Sequence, residues 1–197
     1  TLDASAGNIV FTSVNDDTVG EIITGISYGF PSPGDWYGIY LEGHEAFGGV
    51  GKFNWCRIRY GGRTPYNYGN VFFSYSDSGS LTNCVTEYSQ TYGAKVYFSS
   101  PTITSSTFAN NKSHGLYALY SAPTVTGNTF TSNGGYGALL DDVTLTDYSG
   151  NVGSGNGTNG FGVSGTVSGN RTWSVGSSTF PFVVTSTVVS STVTVNG

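Results

Sequence analysis

The chain has 197 residues, of which 10% are charged, and its formal net charge is −5. This length suits one domain, and the few basic residues cannot form the positive surface that a phosphate backbone needs, so we expect no nucleic-acid partner. No apolar run is long enough to span a bilayer, and we expect no membrane insertion.

The N-terminal residues contain one predicted strand, NIVFTS, and an insertion at residues 14–35 follows it. The insertion lacks a regular apolar pattern and contains two prolines and several glycines, which is typical of a loop. Loops on a rigid scaffold often carry function. The chain opens without a signal peptide, so we expect it to be a piece of a longer secreted protein.

Oxygen-bearing side chains are concentrated at the start of this insertion, at Asn15, Asp16, Asp17 and Glu21. Such a density of carboxylate and amide oxygens can hold Ca²⁺. The glutamate that closes an EF-hand loop is missing, and a solvated acidic turn is the alternative. Calcium is the one cofactor that the sequence predicts.

A further strand is predicted at residues 36–42, and a repeat begins near Phe53. PTITSSTF at residues 101–108 returns as PTVTGNTF at residues 123–130, an offset of 22. Twenty-two residues before PTITSSTF lies the similar segment GSLTNCVT. From Leu81 in that segment, a longer step of 28 residues leads back to Phe53, and the six extra residues lie in the loop-like RTPYNYG. Within each repeat the apolar residues alternate over short runs, which indicates strands.

A 22-residue period without a helical segment predicts a solenoid whose coils pair in parallel, about 4.8 Å apart. We therefore predict an all-β fold, a single right-handed parallel β-helix over residues 1–197, in which the coils at 143–197 are degenerate. The length allows eight or nine coils, and FPFVVTSTVVSSTVTVNG is expected to form two closing strands.

The register predicts which side chains stack in the interior. Asn111 over Asn133 can form an amide ladder. Cys56 and Cys84 occupy one position in adjacent coils, where they form either a disulfide or two buried thiols. The predicted inward columns are Phe53-Leu81-Ile103-Val125, Ile58-Thr86-Phe108-Phe130 and Cys56-Cys84-Ser106-Asn128.

Five phrases of the chain resemble a known group of proteins: IVFTSVNDDTVGE, PGDWYGIYLEG, CRIRYGG, NCVTEYS and SPTITSSTFANN. They are similar to the parallel β-helix repeats of the pectate-lyase-like superfamily, in particular the right-handed β-helix regions of bacterial secreted and cell-surface proteins. The resemblance implies the fold over nearly the whole chain. It leaves the function open, because that scaffold carries lyases, hydrolases, adhesins and binding modules.

The catalytic patterns of that superfamily are not reproduced here. The pectin hydrolases place an Asp-Asp pair before Gly-His-Gly, whereas Asp141 and Asp142 follow His114. The coils between 53 and 122 hold Asp77 and Glu87 as their only acids, too few for a lyase calcium cluster. We expect no enzyme activity, an exposed turn position for His114, and a solvated ion pair between Glu87 and the two arginines of Arg-Ile-Arg at 57–59.

Aromatic residues are the most promising surface feature, with 14 Tyr, 12 Phe and 3 Trp. The register puts three rings in one column, and two tyrosines of RTPYNYG can form its lip. Sugar rings stack on aromatic faces, so this surface predicts carbohydrate binding, although tyrosine is also common on extracellular β-surfaces. The candidate residues are Tyr66, Tyr68, Tyr92, His114 and Tyr136.

Three functions follow from these patterns. The first is a secreted, cell-surface module that acts as a spacer, an adhesin or a filament subunit and contacts neighbouring copies of itself. The second is a non-catalytic module that binds plant or bacterial polysaccharide. The third is the remnant of a polysaccharide lyase or hydrolase.

Overall fold

The computed structural model describes residues 1–43, 49–144, 147–167, 171–174, 180–189 and 192–196. These residues form strands and turns without a helix, and the strands build a parallel β-solenoid, as predicted. Nothing in these ranges is a helix long and apolar enough to cross a membrane.

Three parallel sheets run the length of the solenoid, each coil giving one strand to each sheet. Sheet one contains β1 (Leu2–Ala4), β4 (Gly51–Asn54), β7 (Ser80–Thr82), β10 (Thr102–Thr104) and β13 (Thr124–Thr126). Sheet two contains β2 (Val10–Phe11), β5 (Arg57–Arg59), β8 (Val85–Glu87), β11 (Thr107–Ala109), β14 (Thr129–Thr131) and β16 (Val152–Ser154).

Sheet three is the widest and carries the candidate site. It contains β3 (Ile39–Glu42), β6 (Val71–Ser74), β9 (Ala94–Tyr97), β12 (Leu116–Leu119), β15 (Tyr136–Asp141), β17 (Thr158–Val167) and β19 (Phe182–Val189). A separate parallel pair joins β18 (Arg171–Ser174) to β20 (Val193–Asn196).

The strands make about five coils of about 22 residues, coil 1 from β1 to β3 and coil 5 from β13 to β15. The expectation of eight or nine coils was wrong, because residues 12–38 and 60–70 leave the coil path between strands. The strand predicted at 36–42 begins only at Ile39. Gly38 interrupts it at φ 100°, against the carbonyl of Gly69, where a side chain would not fit.

The predicted register is confirmed throughout the repeat. Ile103 pairs with Leu81 and Val125, and Phe108 pairs with Thr86 and Phe130. These inward side chains are fully buried, and the Phe108 and Phe130 rings stack with centroids 4.9 Å apart. Alternation along each short strand therefore builds a continuous core parallel to the solenoid axis.

Buried amides hold the turns of successive coils together. Asn111 Nδ2 donates to Asn133 Oδ1 at 2.9 Å, and Asn133 Nδ2 donates to Asn156 Oδ1 at 2.8 Å. The predicted ladder is present, and it extends one coil further than the repeat indicated. Because these amides also bond backbone groups, they satisfy polar atoms that would otherwise be buried unpaired.

Three corners connect the sheets, and each contains a residue in the left-handed region. Corner one joins sheet one to sheet two, corner two joins sheet two to sheet three, and corner three leads to the next coil. The corner-one residues include Trp55, Asn83 and Ser105, those of corner two include Tyr60, Tyr88, Asn110 and Ser132, and those of corner three are Tyr75, Phe98, Tyr120 and Asp142.

Candidate functional site

The outward face of sheet three is an aromatic surface. Pairing of the strands puts Tyr40, Phe72, Lys95 and Tyr117 in one column, each on the next coil. Their sequence neighbours point inward, among them the fully buried Phe73. The same alternation that fills the core thus puts Tyr40 and Tyr117 on the outer surface, while Phe72 is only 5% exposed beneath its neighbours.

The predicted lip residues join this column. Tyr68 stacks on Tyr40 with centroids 4.8 Å apart, and Tyr66 stacks on Tyr68 at 5.3 Å. Tyr40 also stacks on Phe72 at 5.1 Å, and Lys95 Nζ lies 4.9 Å from the centroid of Phe72. The segment 60–70 therefore brings its two tyrosines onto the surface of the preceding coil.

The second predicted group, Tyr92, His114 and Tyr136, lies beside this column at corner two. The rings of Tyr92 and His114 are 5.7 Å apart and nearly parallel, at 13°. His114 and Tyr136 are also 5.7 Å apart but tilted by 47°. Tyr117 connects the two groups, since its centroid lies 5.1 Å from that of Tyr92. All five candidate residues thus lie on one contiguous surface.

The angles between the rings determine whether their faces or only their edges are open to a ligand. Parallel rings cover each other's faces, so a stacked column presents ring edges and hydroxyls. A sugar needs an open face, and the tilted rings can provide one. Tyr117 is inclined by 40° to Tyr92, and Tyr136 by 47° to His114. Sequence reasoning gave the column but not these angles.

His114 has a structural contact on this surface. It is half-buried, not exposed as expected, and its Nδ1 accepts a hydrogen bond from the backbone N–H of Tyr136 at 2.9 Å. Burial lowers the pKa of the imidazole. A neutral ring that accepts at Nδ1 links corner two of coil 4 to corner two of coil 5.

Corner three carries an aromatic column that sequence reasoning missed. Tyr75 stacks on Phe98 at 5.2 Å and Phe98 on Tyr120 at 5.1 Å, and about half of each side chain is exposed. A groove of about 420 Å³ adjoins Phe98 and Tyr120, with Asp142 in its lining. The signal was available, because each ring precedes a serine at nearly the repeat distance, in YS at 75, FS at 98 and YS at 120.

The predicted calcium ligands do not form one cluster. Asp16 is buried and its Oδ2 lies 2.6 Å from Arg59 Nη2, while Thr12 and Thr18 donate hydrogen bonds to the same carboxylate. Asn15 donates to Asp35 instead. Among the described residues, no group of three or more His, Cys, Asp or Glu side chains is arranged to hold a metal ion. Calcium binding by Asn15, Asp16, Asp17 and Glu21 stays a prediction.

The ion pair expected at Glu87 is present, and it is solvated only on the side of Arg57, whose side chain is 49% exposed. Glu87 Oε1 lies 2.7 Å from Arg57 Nε and 3.9 Å from Arg59 Nη1. The side chains of Glu87 and Arg59 are only 8% and 11% exposed. The insertion at 14–35 covers Arg59 through Asp16, which the sequence alone could not indicate.

Of the two alternatives for the cysteines, the structure contains buried free thiols at Cys56 and Cys84. Burial raises the pKa of Cys84 to about 11. A thiol with such a pKa stays protonated at neutral pH, so it is a poor nucleophile. The Cys84 thiol instead donates to the carbonyl of Thr82 at 3.2 Å, and the backbone N–H of Cys84 donates to Ser106 Oγ at 3.0 Å.

Comparison with known families agrees with this architecture. A family model described as a right-handed beta helix region matches residues 24–194. The chain belongs to this right-handed β-helix family. Neither the curated proteins nor the solved structures gave a significant match. β-Helix domains occur in enzymes and in non-enzymes, so membership does not decide whether the chain is catalytic.

Proposed function

We propose that this protein is a non-catalytic β-helix module that binds polysaccharide along the outward face of sheet three. The observation that carries this proposal is the contiguous aromatic surface of that face, in which Tyr40 and Tyr117 share a column and Tyr66 and Tyr136 lie beside it. Exposed aromatic patches of this extent are uncommon on monomeric proteins without a binding role.

The dimensions of the face suit an extended chain. Successive coils repeat about every 4.8 Å, so rings on four coils span a straight strip of the surface. Tyrosine hydroxyls along the ring edges can donate to and accept from sugar hydroxyls, while the tilted rings of Tyr117 and Tyr136 can stack on a pyranose. A linear β-linked glucan or xylan has the matching shape.

A non-catalytic role is supported by the contacts of the polar groups. His114 uses Nδ1 to accept from the backbone of Tyr136. The buried carboxylates Asp16 and Glu87 both contact Arg59, which holds them in an ion-pair cluster away from this face. Acid and base catalysis of glycoside cleavage needs two carboxyl groups converging on one bond.

The test is a pull-down on insoluble cellulose and xylan. We expect the wild-type protein to bind and the double variant Tyr66→Ala, Tyr136→Ala to lose at least ten-fold in affinity. The matched control is Trp55→Asn, Tyr88→Asn, which removes exposed rings from corner one and from the sheet-two end of corner two, off the face of sheet three. Equal binding by the two double variants would contradict the proposal, as would a wild-type protein that binds neither material.

The cell-surface role as a spacer, adhesin or filament subunit is compatible with this proposal and remains a prediction. A polysaccharide-binding module acts where polysaccharide is found, and we propose an extracellular location. Contacts between copies of the module would be measured by light scattering over a range of concentrations.

A further inference from the structure

Three aromatic side chains at corner three adopt a backbone conformation that such residues rarely take. Tyr75, Phe98 and Tyr120 have φ angles of 52°, 43° and 49°. Bulky residues are unfavourable in the left-handed region, and outliers of this kind concentrate at functional sites. All three rings are nevertheless exposed, at 51%, 42% and 48%.

The other corners of the same coils provide an internal comparison. Coil 3 has Asn83 at corner one, although Tyr88 at its corner two is also aromatic, and coil 4 has Ser105 and Asn110 at corners one and two, all in the left-handed region. Asparagine in particular tolerates this conformation well. Fold formation alone therefore does not require Phe98 or Tyr120 at corner three.

A serine column beneath the rings makes the corner rigid. The backbone N–H of Ser76 donates to Ser99 Oγ at 2.8 Å, and that of Ser99 donates to Ser121 Oγ at 3.2 Å. The hydroxyls of Ser99 and Ser121 in turn donate to the carbonyls of Tyr97 and Leu119. Because these serines are buried and paired, the rings above them have fixed positions.

The aromatic column ends at Tyr120, since coil 5 has Asp142 at the equivalent corner position. Within the described residues, the ring contacts of Tyr120 are with Phe98 and Tyr97. Its face toward coil 5 borders the groove, which Ser100 and Thr144 also line. Asp142 is fixed there, because its Oδ1 accepts from the backbone N–H of Thr166 at 2.6 Å.

We propose that this corner-three groove binds one uncharged sugar residue, which stacks on the open face of Tyr120 and donates a hydroxyl hydrogen bond to Asp142. The inference rests on the proposed function and adds a subsite at the edge of the same face. The volume of about 420 Å³ accommodates a pyranose, and ligand pockets start near this size.

The charges of the groove indicate the class of sugar. Among the described residues that line it, Asp142 is the only one charged at neutral pH. A carboxylate that has no cationic partner among the described residues repels uronates and sulfated sugars, while it accepts hydrogen bonds from neutral hydroxyls. The net charge of −5 also repels anionic sugars. We therefore assign the groove to a neutral glycan.

The test is calorimetric titration with cellohexaose and xylohexaose, compared with hexagalacturonate as the anionic counterpart. We expect Phe98→Asn, Tyr120→Asn to lower the affinity for at least one neutral hexasaccharide ten-fold or more, and Asp142→Asn to lower it about five-fold. The matched control is again Trp55→Asn, Tyr88→Asn, which makes the same substitution at left-handed positions and should keep wild-type affinity.

Each other outcome counts against a defined part of the inference. Unchanged affinity of Phe98→Asn, Tyr120→Asn, with loss in Tyr66→Ala, Tyr136→Ala, would overturn the groove and leave the proposed function standing. Tighter binding of hexagalacturonate would overturn the neutral class. No binding of any hexasaccharide to the wild-type protein would overturn both. Amide shifts on wild-type protein, expected at residues 98–100 and 142–144, test the groove without relying on a variant.

Discussion

Several buried polar atoms in the interior of this solenoid lack a hydrogen-bond partner in the part of the chain that the structure describes. The hydroxyls of Thr86, Thr91 and Tyr148 are buried and have no hydrogen-bond partner among the described residues. Thr86 occupies the column that holds Ile58 and Phe108 in the adjacent coils. A buried hydroxyl without a partner loses its hydration and gains nothing in return, so each of these atoms destabilises the fold.

We predict that Thr86→Val stabilises the protein by about 1 kcal/mol, because valine has the same shape without the unsatisfied hydroxyl. Urea unfolding monitored by circular dichroism measures the difference. Thr86→Ala serves as the control, since it removes the hydroxyl but also leaves a cavity, and it should destabilise. A less stable Val variant would mean that the hydroxyl has a partner.

The strands of this fold are stabilised by pairing between successive coils. The strands are only a few residues long, and each is stable because it pairs with the equivalent strands above and below it. Phe108 lies in the middle of such a stack, between Thr86 and Phe130. Thr129, on the next strand, points outward and is exposed.

We predict that Phe108→Asp unfolds the protein or destabilises it by at least about 4 kcal/mol, because it buries an unpaired charge. Thr129→Asp changes the same sheet on its outward face and should shift stability by less than about 0.5 kcal/mol. Thermal melts of both variants test the register. Similar melting temperatures would be incompatible with the inward assignment of Phe108.

At the scale of the whole molecule, a buried charge cluster attaches the insertion at 14–35 to the solenoid. Desolvation of Asp16 raises the pKa of its carboxyl, but hydrogen bonds from Thr12 and Thr18 and the charge of Arg59 outweigh this, and the pKa is lowered. The pKa of Asp35 is lowered likewise, by hydrogen bonds from Ser13 and the backbone of Ser32 that outweigh its desolvation.

Because these two folded-state pKa values lie below the ordinary value of 3.8, the carboxylates stabilise the fold above that pH, and this contribution is lost as the pH falls through the folded values. We predict a lower melting temperature at pH 3 than at pH 7. Asp16→Asn should reduce the difference between the two, whereas Asp77→Asn, at an exposed turn, should not. A melting temperature independent of pH in the wild-type protein would disprove this role.

The sequence predicted the fold and its register because Ile103, Phe108 and Asn111 return at a constant step. It did not predict that Phe180 packs on Phe130 at 5.1 Å, since Gly153 leaves that core position empty of a side chain and a distant residue fills it. Likewise, the burial of Arg59 between Asp16 and Glu87 depends on the insertion at 14–35, which has no counterpart in the other coils. Contacts between equivalent positions of the repeat were predictable, and contacts made by residues that do not belong to the repeat were not.

Length variation in this chain is confined almost entirely to corner two. The connection from sheet two to sheet three covers residues 12–38 in coil 1 and 60–70 in coil 2, yet only 88–93 and 110–115 in the next two coils. The long connections thus lie at one edge, and the strands on either side of them stay paired. The segment 60–70 supplied Tyr66 and Tyr68 in this way. The fold thus separates a regular repeating frame from one edge at which extra residues can be added without altering the strand pairing.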